Sequence, residues 1–161
     1  MASPDPRPSW DEYFFGLSYA AQARADCTRR KAGAVIVDTH HRVIGVGYNG
    51  AASGIRGCLS DGACPRGQLS DDQLAAYSDY DSGPGRCIAV HAEANAIFNA
   101  AGSVRGAILY TTSDRPVARP CQGCWRSMGG AGISEVHWHE DGVHWVGYPS
   151  RDPFVWGFAP D

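Results

Sequence analysis

Four side chains of the kinds that bind metal ions or move protons fall in two short motifs, His91-x-Glu93 and Cys121-x-x-Cys124. One imidazole and two thiolates supply three of the four ligands of a tetrahedral zinc ion, and water can take the fourth position. Water on such an ion loses a proton near neutral pH. Glu93, two residues past His91, cannot easily bind the same ion, so we expect it to accept this proton and pass it to a substrate. The two motifs together predict hydrolytic chemistry.

A CxxC pair by itself also fits disulfide redox chemistry, and this alternative stays open on the motif alone. The six cysteines could also form three disulfides in a secreted protein. The first eight residues carry prolines around an acidic residue and lack the apolar stretch of a secretory signal. We therefore expect a cytoplasmic, reducing location, where clustered cysteines more often serve metal binding or catalysis.

Both motifs are expected at the starts of helices. Strong helix formers follow His91 as far as Gly102, and a strand at 107–112 leads on to a second helix from Cys121 to about Ala131. In a parallel α/β unit, the starts of such helices lie at one end of the sheet. The three metal ligands should therefore meet there.

The rest of the chain predicts one layered α/β domain over residues 1–161. A capping box of Ser9 and Glu12 opens a first helix, segments 32–37 and 42–48 form a β-hairpin, and 133–138 form a strand. Residues 50–86 are predicted to be a long loop insertion with helical hints around 71–76. Residues 139–161 are aromatic and interrupted by prolines, so we expect an irregular tail.

Composition narrows the range of partners. The formal net charge is −3, so no uniformly basic field favours nucleic acid. No run of about 18 apolar residues predicts a membrane span. Composition therefore makes nucleic acid a less favoured partner without excluding it, and it does not support a membrane partner.

The two motifs, read together, resemble the signature of the zinc-dependent cytidine/deoxycytidylate deaminase superfamily. Further segments place the resemblance closest to its deoxycytidylate (dCMP) deaminase branch: residues 30–37, 47–50 and 91–97. The resemblance covers roughly residues 8–138. It implies a three-layer α/β/α cytidine-deaminase-like fold, whose central mixed sheet has about five strands.

The same resemblance implies a reaction and a set of roles. Water and dCMP would give dUMP and ammonia, with one catalytic Zn²⁺ held by His91, Cys121 and Cys124. Asn49 would contact the sugar, the backbone of Ala92 would help to hold the pyrimidine ring, and Glu93 would bond N3 of the ring. Members of the family are usually oligomers, so a homo-oligomer is expected.

A lengthened loop over residues 113–119 departs from the family pattern and leaves the substrate open. CMP, a 5-substituted cytosine nucleotide or a free nucleoside are alternatives to dCMP, and a polynucleotide is a less favoured one. Arg115 and Arg119 in this loop either hold a phosphate or are solvated charges. A non-catalytic zinc module is disfavoured, because a purely structural site has no use for Glu93.

Four cysteines remain outside the two motifs: Cys27, Cys58, Cys64 and Cys87. The resemblance implies a second, structural zinc for some members, bound by residues in the corresponding regions. Four thiolates would complete a tetrahedral site and would pin the long loop. The alternative is four free thiols.

Overall fold

The computed structural model describes residues 3–70, 72–74 and 79–154. Its helices are α1 (Trp10–Gln22), α2 (Ala92–Phe98) and α3 (Gln122–Ala131), with one turn of 3₁₀ helix at Arg66–Gln68. Its strands are β1 (Ala32–Val37), β2 (Val43–Tyr48), β3 (Ile108–Ser113), β4 (Glu135–Glu140) and β5 (Val143–Gly147). None of the helices in these ranges has the length and apolar content that a membrane span requires.

The described strands form one mixed sheet in the order β2-β1-β3-β4-β5. Strands β3 and β4 run parallel, and every other neighbouring pair is antiparallel. Helix α1 packs on one face of the sheet, and α2 and α3 pack on the other. The predicted three-layer architecture with about five strands is confirmed.

The face beneath α1 has its own aromatic core. The capping box predicted for this helix is present: Glu12 N donates to Ser9 Oγ at 3.2 Å, and Ser9 N donates to Glu12 Oε2 at 2.7 Å. Phe14 and Phe15 then pack against Val35 and Tyr110 of the sheet. This packing holds α1, the element that precedes β1, on the sheet.

The larger core lies between the sheet and the pair α2 and α3, and a glycine sets how closely α2 approaches. A methyl group on Gly47 of β2 would lie 2.3 Å from the carbonyl oxygen of Ala92 and 2.3 Å from the amide nitrogen of Ala96. Asn95 adds a hydrogen bond from its Nδ2 to Tyr48 O at 2.8 Å. The first turn of α2 is therefore held directly against the sheet.

Two expectations about helix and tail limits need correction. Helix α2 ends at Phe98 rather than near Gly102. The amide of Ala101 donates to Ile44 O of β2 instead of to a carbonyl group of the helix, so the helix does not continue. Residues 139–147 are regular rather than irregular, since β4 continues to Glu140 and β5 pairs back along it. Asp141 and Gly142, both with positive φ, form the tight turn between them. The expected tail beyond residue 154 lies outside the described residues.

The long insertion after β2 is largely irregular where it is described. The carboxylate of Asp26 ties it to the end of α1 by accepting bonds from Gly57 N at 3.0 Å, Ser60 N at 2.7 Å and Ser60 Oγ at 2.6 Å. Of the helical hints expected around 71–76, residues 72–74 form a turn rather than a helix, and Asp71, Ala75 and Ala76 lie outside the described residues.

The close approach at Gly47 generates a prediction with a matched control. We expect Gly47→Ala to lower the free energy of unfolding by about 1–3 kcal/mol, because the new methyl group overlaps the α2 backbone. Gly16→Ala, in α1 where nothing lies within 4 Å of the added carbon, should instead raise it by about 0.5–1 kcal/mol. Denaturant unfolding measures both, and a Gly47→Ala protein as stable as Gly16→Ala would refute the close approach.

Candidate metal centre

Two helix N-termini position the first ligands of the candidate metal centre. His91 is the N-cap of α2 and Cys121 is the N-cap of α3, and both have extended backbone angles. An N-cap side chain lies beside the first, unpaired amide groups of its helix, where the helix dipole is positive. This environment favours the anionic form of a thiol.

The ligand atoms predicted from the sequence converge. His91 Nδ1 lies 3.4 Å from Cys121 Sγ and 3.3 Å from Cys124 Sγ, and the three ligand atoms are all within 4.8 Å of one another. Nitrogen and sulfur ligands of one tetrahedral zinc ion lie about 3.6 Å apart, given the usual bond lengths. The donor set and its spacing therefore fit Zn²⁺ with one position left for water or substrate.

The two thiols of the centre are electrostatically unequal. A hydrogen bond with Cys124 lowers the pKa of Cys121, and the bond with His91 lowers it further. The pKa of Cys124 is raised, chiefly by the same bond to Cys121 and then by burial. Cys121 is therefore the more acidic thiol of the pair, and a divalent cation bound to both sulfurs would favour both thiolates.

Glu93 sits beside these ligands in the first turn of α2. It is buried, and this burial is the main reason that its pKa is raised. The neighbouring ligands also act on this pKa: His91 and Cys124 lower it and Cys121 raises it. A carboxyl group with a raised pKa can both take up and release a proton near neutral pH.

Asn49 and Ala92, the expected substrate contacts, occupy the same end of the sheet. The side chain of Asn49 accepts from Ala32 N at 2.8 Å and donates to Arg30 O at 2.8 Å, so it holds the start of β1 against the end of β2. Ala92 is fully buried as the first residue of α2. Both residues therefore have a structural part in shaping the site.

Arg30 is a charged neighbour of the site that the sequence reasoning did not single out. Its Nε donates to Ser113 Oγ at 3.0 Å and its Nη2 to Val117 O at 3.1 Å, so it links the entry of β1 to the loop that leads to Cys121. The pKa of His91 is raised, mainly by its hydrogen bond with Cys121. The positive charge of Arg30 acts in the opposite direction and lowers this pKa by a smaller amount. Arg30 lies just before β1, at the end of the sheet where the motifs meet. This position in the sequence could have identified it as a neighbour of the site.

The lengthened loop 113–119 lies along β4. Ala118 N donates to His139 O, and the guanidinium of Arg119 forms a two-pronged ion pair with the carboxylate of Glu140. The pKa of Glu140 is lowered mainly by this pair. Arg115 donates to Arg29 O at 2.5 Å. Arg119 is therefore not a solvated charge, and its guanidinium group is already paired with Glu140 rather than available to a phosphate.

The other four cysteines lie in one region but do not converge as closely. Cys58 is buried, which raises its pKa to about 11, and the charges of Cys64, Cys27 and Cys87 add to the effect. Among the described residues, the close groups of potential metal ligands are His91/Cys121/Cys124 and Asp11/His137/His144, so these four thiols do not form a group within 4.8 Å. None of the six cysteines forms a disulfide.

A mixed sheet of this topology, with His and two Cys at two helix starts and a buried glutamate beside them, defines a hydrolytic metalloenzyme of the deaminase type. A family model described as the cytidine and deoxycytidylate deaminase zinc-binding region matches residues 8–140. The chain belongs to this family.

Individual relatives agree with this assignment. A deoxycytidylate deaminase of Mycobacterium phage D29 is 47% identical over 131 residues, which cover 81% of this chain and 94% of that relative. A deoxycytidylate deaminase of Schizosaccharomyces pombe is 36% identical over 135 residues, which cover 83% of this chain but 38% of that protein. The chain therefore spans less than half the length of the yeast relative.

A solved structure shows the same fold. The crystal structure of dCMP deaminase from the cyanophage S-TIM5 in complex with dCMP and dUMP matches with a TM-score of 0.58 and 23% sequence identity, covering 83% of each chain. At this identity the match is evidence for the fold alone.

Removal of one ligand tests the metal centre. We expect Cys121→Ala to lose one zinc equivalent and to melt about 10 °C lower, because metal binding to the folded state contributes to stability. Glu93→Gln should keep its zinc, since Glu93 is not a ligand. Metal analysis and thermal unfolding of the purified proteins measure both, and an unchanged zinc content in Cys121→Ala would refute the assignment.

Proposed function

We propose that this protein deaminates dCMP, with water as the second substrate and dUMP and ammonia as products. The observation that carries the proposal is the buried carboxyl group of Glu93, in the first turn of the helix that His91 begins, beside the convergent His91, Cys121 and Cys124. A purely structural metal site would have no use for that carboxyl group. The 47% identity to the phage D29 deoxycytidylate deaminase supports the choice of substrate.

His91, Cys121 and Cys124 would hold the zinc ion. When bound, Zn²⁺ supplies Lewis acidity and makes a water molecule a nucleophile at neutral pH. Glu93 would take one proton from the attacking water and give it to N3 of the cytosine ring. It would then take the proton of the hydroxyl group added at C4 and give it to the amino group, which leaves as ammonia. The burial of Glu93 raises its pKa and so suits it to both steps.

The backbone around the centre offers contacts to the substrate. The amide groups in the first turn of α2 have no partner within the helix, so the N–H of Ala92 is a donor for an oxygen of the pyrimidine ring. Asn49 Nδ2 uses one of its two hydrogens on Arg30 O, which leaves the second for the sugar. We propose these two residues as substrate contacts on that basis.

A survey of substrates tests the proposed function. Purified protein should release ammonia from dCMP faster than from cytosine, cytidine, CMP, dCTP, 5-substituted dCMP, adenosine or single-stranded DNA. Glu93→Gln should lower kcat for dCMP by about 10²–10⁴-fold, because the group that moves protons is lost.

The controls separate the substrate from the mechanism. Equal zinc content in wild type and Glu93→Gln assigns the loss to proton transfer rather than to the metal. Near-normal turnover by Glu93→Gln would refute the mechanism, whereas preference for another compound in the panel would refute only the choice of dCMP.

We also propose a structural zinc bound by Cys27, Cys58, Cys64 and Cys87. Backbone amides donate to three of the sulfurs: Arg29 N to Cys27 at 3.4 Å, Gly67 N to Cys64 at 3.3 Å and Ala89 N to Cys87 at 3.4 Å. Cys121 accepts the same kind of bond from Cys124 N. Such bonds favour thiolates, and Cys64, Cys27 and Cys87 lie near enough to Cys58 for their charges to act on it.

Metal content decides between this zinc and four free thiols. We expect about two tightly bound zinc ions per chain, and one in the Cys58→Ser/Cys64→Ser double variant, because two of the four ligands are then lost. The double variant should also become more sensitive to proteolysis within residues 50–86. A wild-type protein with only one tightly bound zinc would refute the second site.

Assembly and location complete the proposal. We propose a homo-oligomer, supported by large apolar side chains on the surface such as Phe98, which is 74% exposed at the end of α2. A mass in solution equal to one 17.2 kDa chain would contradict it. We propose a cytoplasmic location because none of the six cysteines forms a disulfide, and fractionation of cells that produce the protein would test it.

A further inference from the structure

A second group of potential metal ligands lies on the sheet face that α1 covers. Asp11 of α1, His137 of β4 and His144 of β5 bring one ligand atom each to within 4.8 Å of one another. The candidate zinc ligands of the deaminase centre instead begin helices on the opposite face. The proposed deamination uses none of these three side chains.

The spacing of this cluster is close to that of a metal site. His137 Nδ1 lies 2.9 Å from His144 Nε2 and 3.9 Å from Asp11 Oδ1. Nitrogen and oxygen ligands of one tetrahedral zinc ion lie about 3.3 Å apart, given the usual bond lengths. The two distances from His137 Nδ1 lie on either side of this value, and the distance between the ligand atoms of Asp11 and His144 is at most 4.8 Å.

Residues behind the cluster orient its members. His137 Nε2 lies 3.0 Å from Glu135 Oε2, and a proton on Nε2 donated to this carboxylate leaves the lone pair of Nδ1 facing the cluster. The hydroxyl of Tyr110 donates to Asp11 Oδ1 at 2.6 Å. A carboxylate that holds the second nitrogen of a metal-binding histidine is the usual arrangement behind such ligands.

The cluster is both anchored and accessible. The side chain of His137 is 9% exposed and that of Asp11 is 45% exposed, while His144 lies on the exposed surface of the last described strand. The three ligands come from three different elements, so a bound ion would tie α1 to the β4–β5 hairpin. Among the described strands, β5 is at the edge of the sheet and pairs with β4 alone.

We propose that Asp11, His137 and His144 form a site for a divalent transition-metal ion, with Zn²⁺ the fitting species. Two imidazoles and one carboxylate suit zinc and its neighbours better than Mg²⁺ or Ca²⁺, which prefer all-oxygen ligands. Without thiolates, this site binds more weakly than the deaminase centre. Its role is to join the first helix to the edge hairpin.

Zinc titration of the zinc-loaded protein tests the site. Calorimetry with free Zn²⁺ in the micromolar range should show one further equivalent per chain, and added Zn²⁺ should raise Tm. His144→Ala should weaken this binding at least 100-fold, and Glu135→Gln about 10–100-fold, the range measured for groups behind metal ligands. Turnover of dCMP is not the readout, so a wrong substrate assignment would leave the result intact.

His40→Ala is the matched control, since His40 is an exposed histidine in the turn of the other hairpin. It should bind the additional zinc as the wild type does. If His144→Ala fails to fold, Asp11→Asn, which can still accept the bond from Tyr110, replaces it. Binding that is absent from the wild type, or equal in the wild type and His144→Ala, would show that the two histidines form only a hydrogen-bonded pair.

Discussion

The site depends on one constraint: two helices must begin at the same point in space. His91 and Cys121 are N-caps, and their side chains meet only because α2 and α3 start at one end of the same sheet. The parallel pairing of β3 with β4 makes this possible, since α3 is the crossover between these two strands. The position of α2 is set by its close approach to β2 at Gly47. A shift of either helix by the length of one bond would separate ligands that now lie 3.3–3.4 Å apart.

Charge balance explains why such a compact group of ionisable side chains is tolerated. Buried charges are costly unless they are paired. Two thiolates match the charge of one divalent ion, and the positive ends of two helices lie beside the sulfurs. Glu93 is buried next to this group, so its proton is held to a higher pH than in water. Burial disfavours the ionised form of this carboxyl group, and for the same reason it gives the group the affinity for protons that a deaminase requires.

The surroundings of the site were less predictable than its centre. Arg119 belongs to a loop whose sequence suggested either a phosphate contact or solvated charge, yet its guanidinium pairs with Glu140, 21 positions further along the chain. Residues 139–147 looked irregular because aromatic residues, glycines and a nearby proline obscured the alternation of the strands. The Asp141-Gly142 pair was the signal for a hairpin turn there. Similarly, α2 stops before Gly102 because Ala101 finds a partner in the sheet, which helix propensity cannot anticipate.

Local chemistry and spacing determined the features that could be predicted from the sequence. The capping box of Ser9 and Glu12, the hairpin of β1 and β2 and the alternation of strands and helices are short-range properties, so the chain itself revealed them. The residue types in the two motifs were also sufficient to predict a zinc-dependent hydrolase. Only the tertiary structure decided how near the ligands come, how deeply Glu93 is buried and that Asp11 meets His137 and His144. Those distances and burials result from packing between segments far apart in sequence, for which no local pattern of residues carries information.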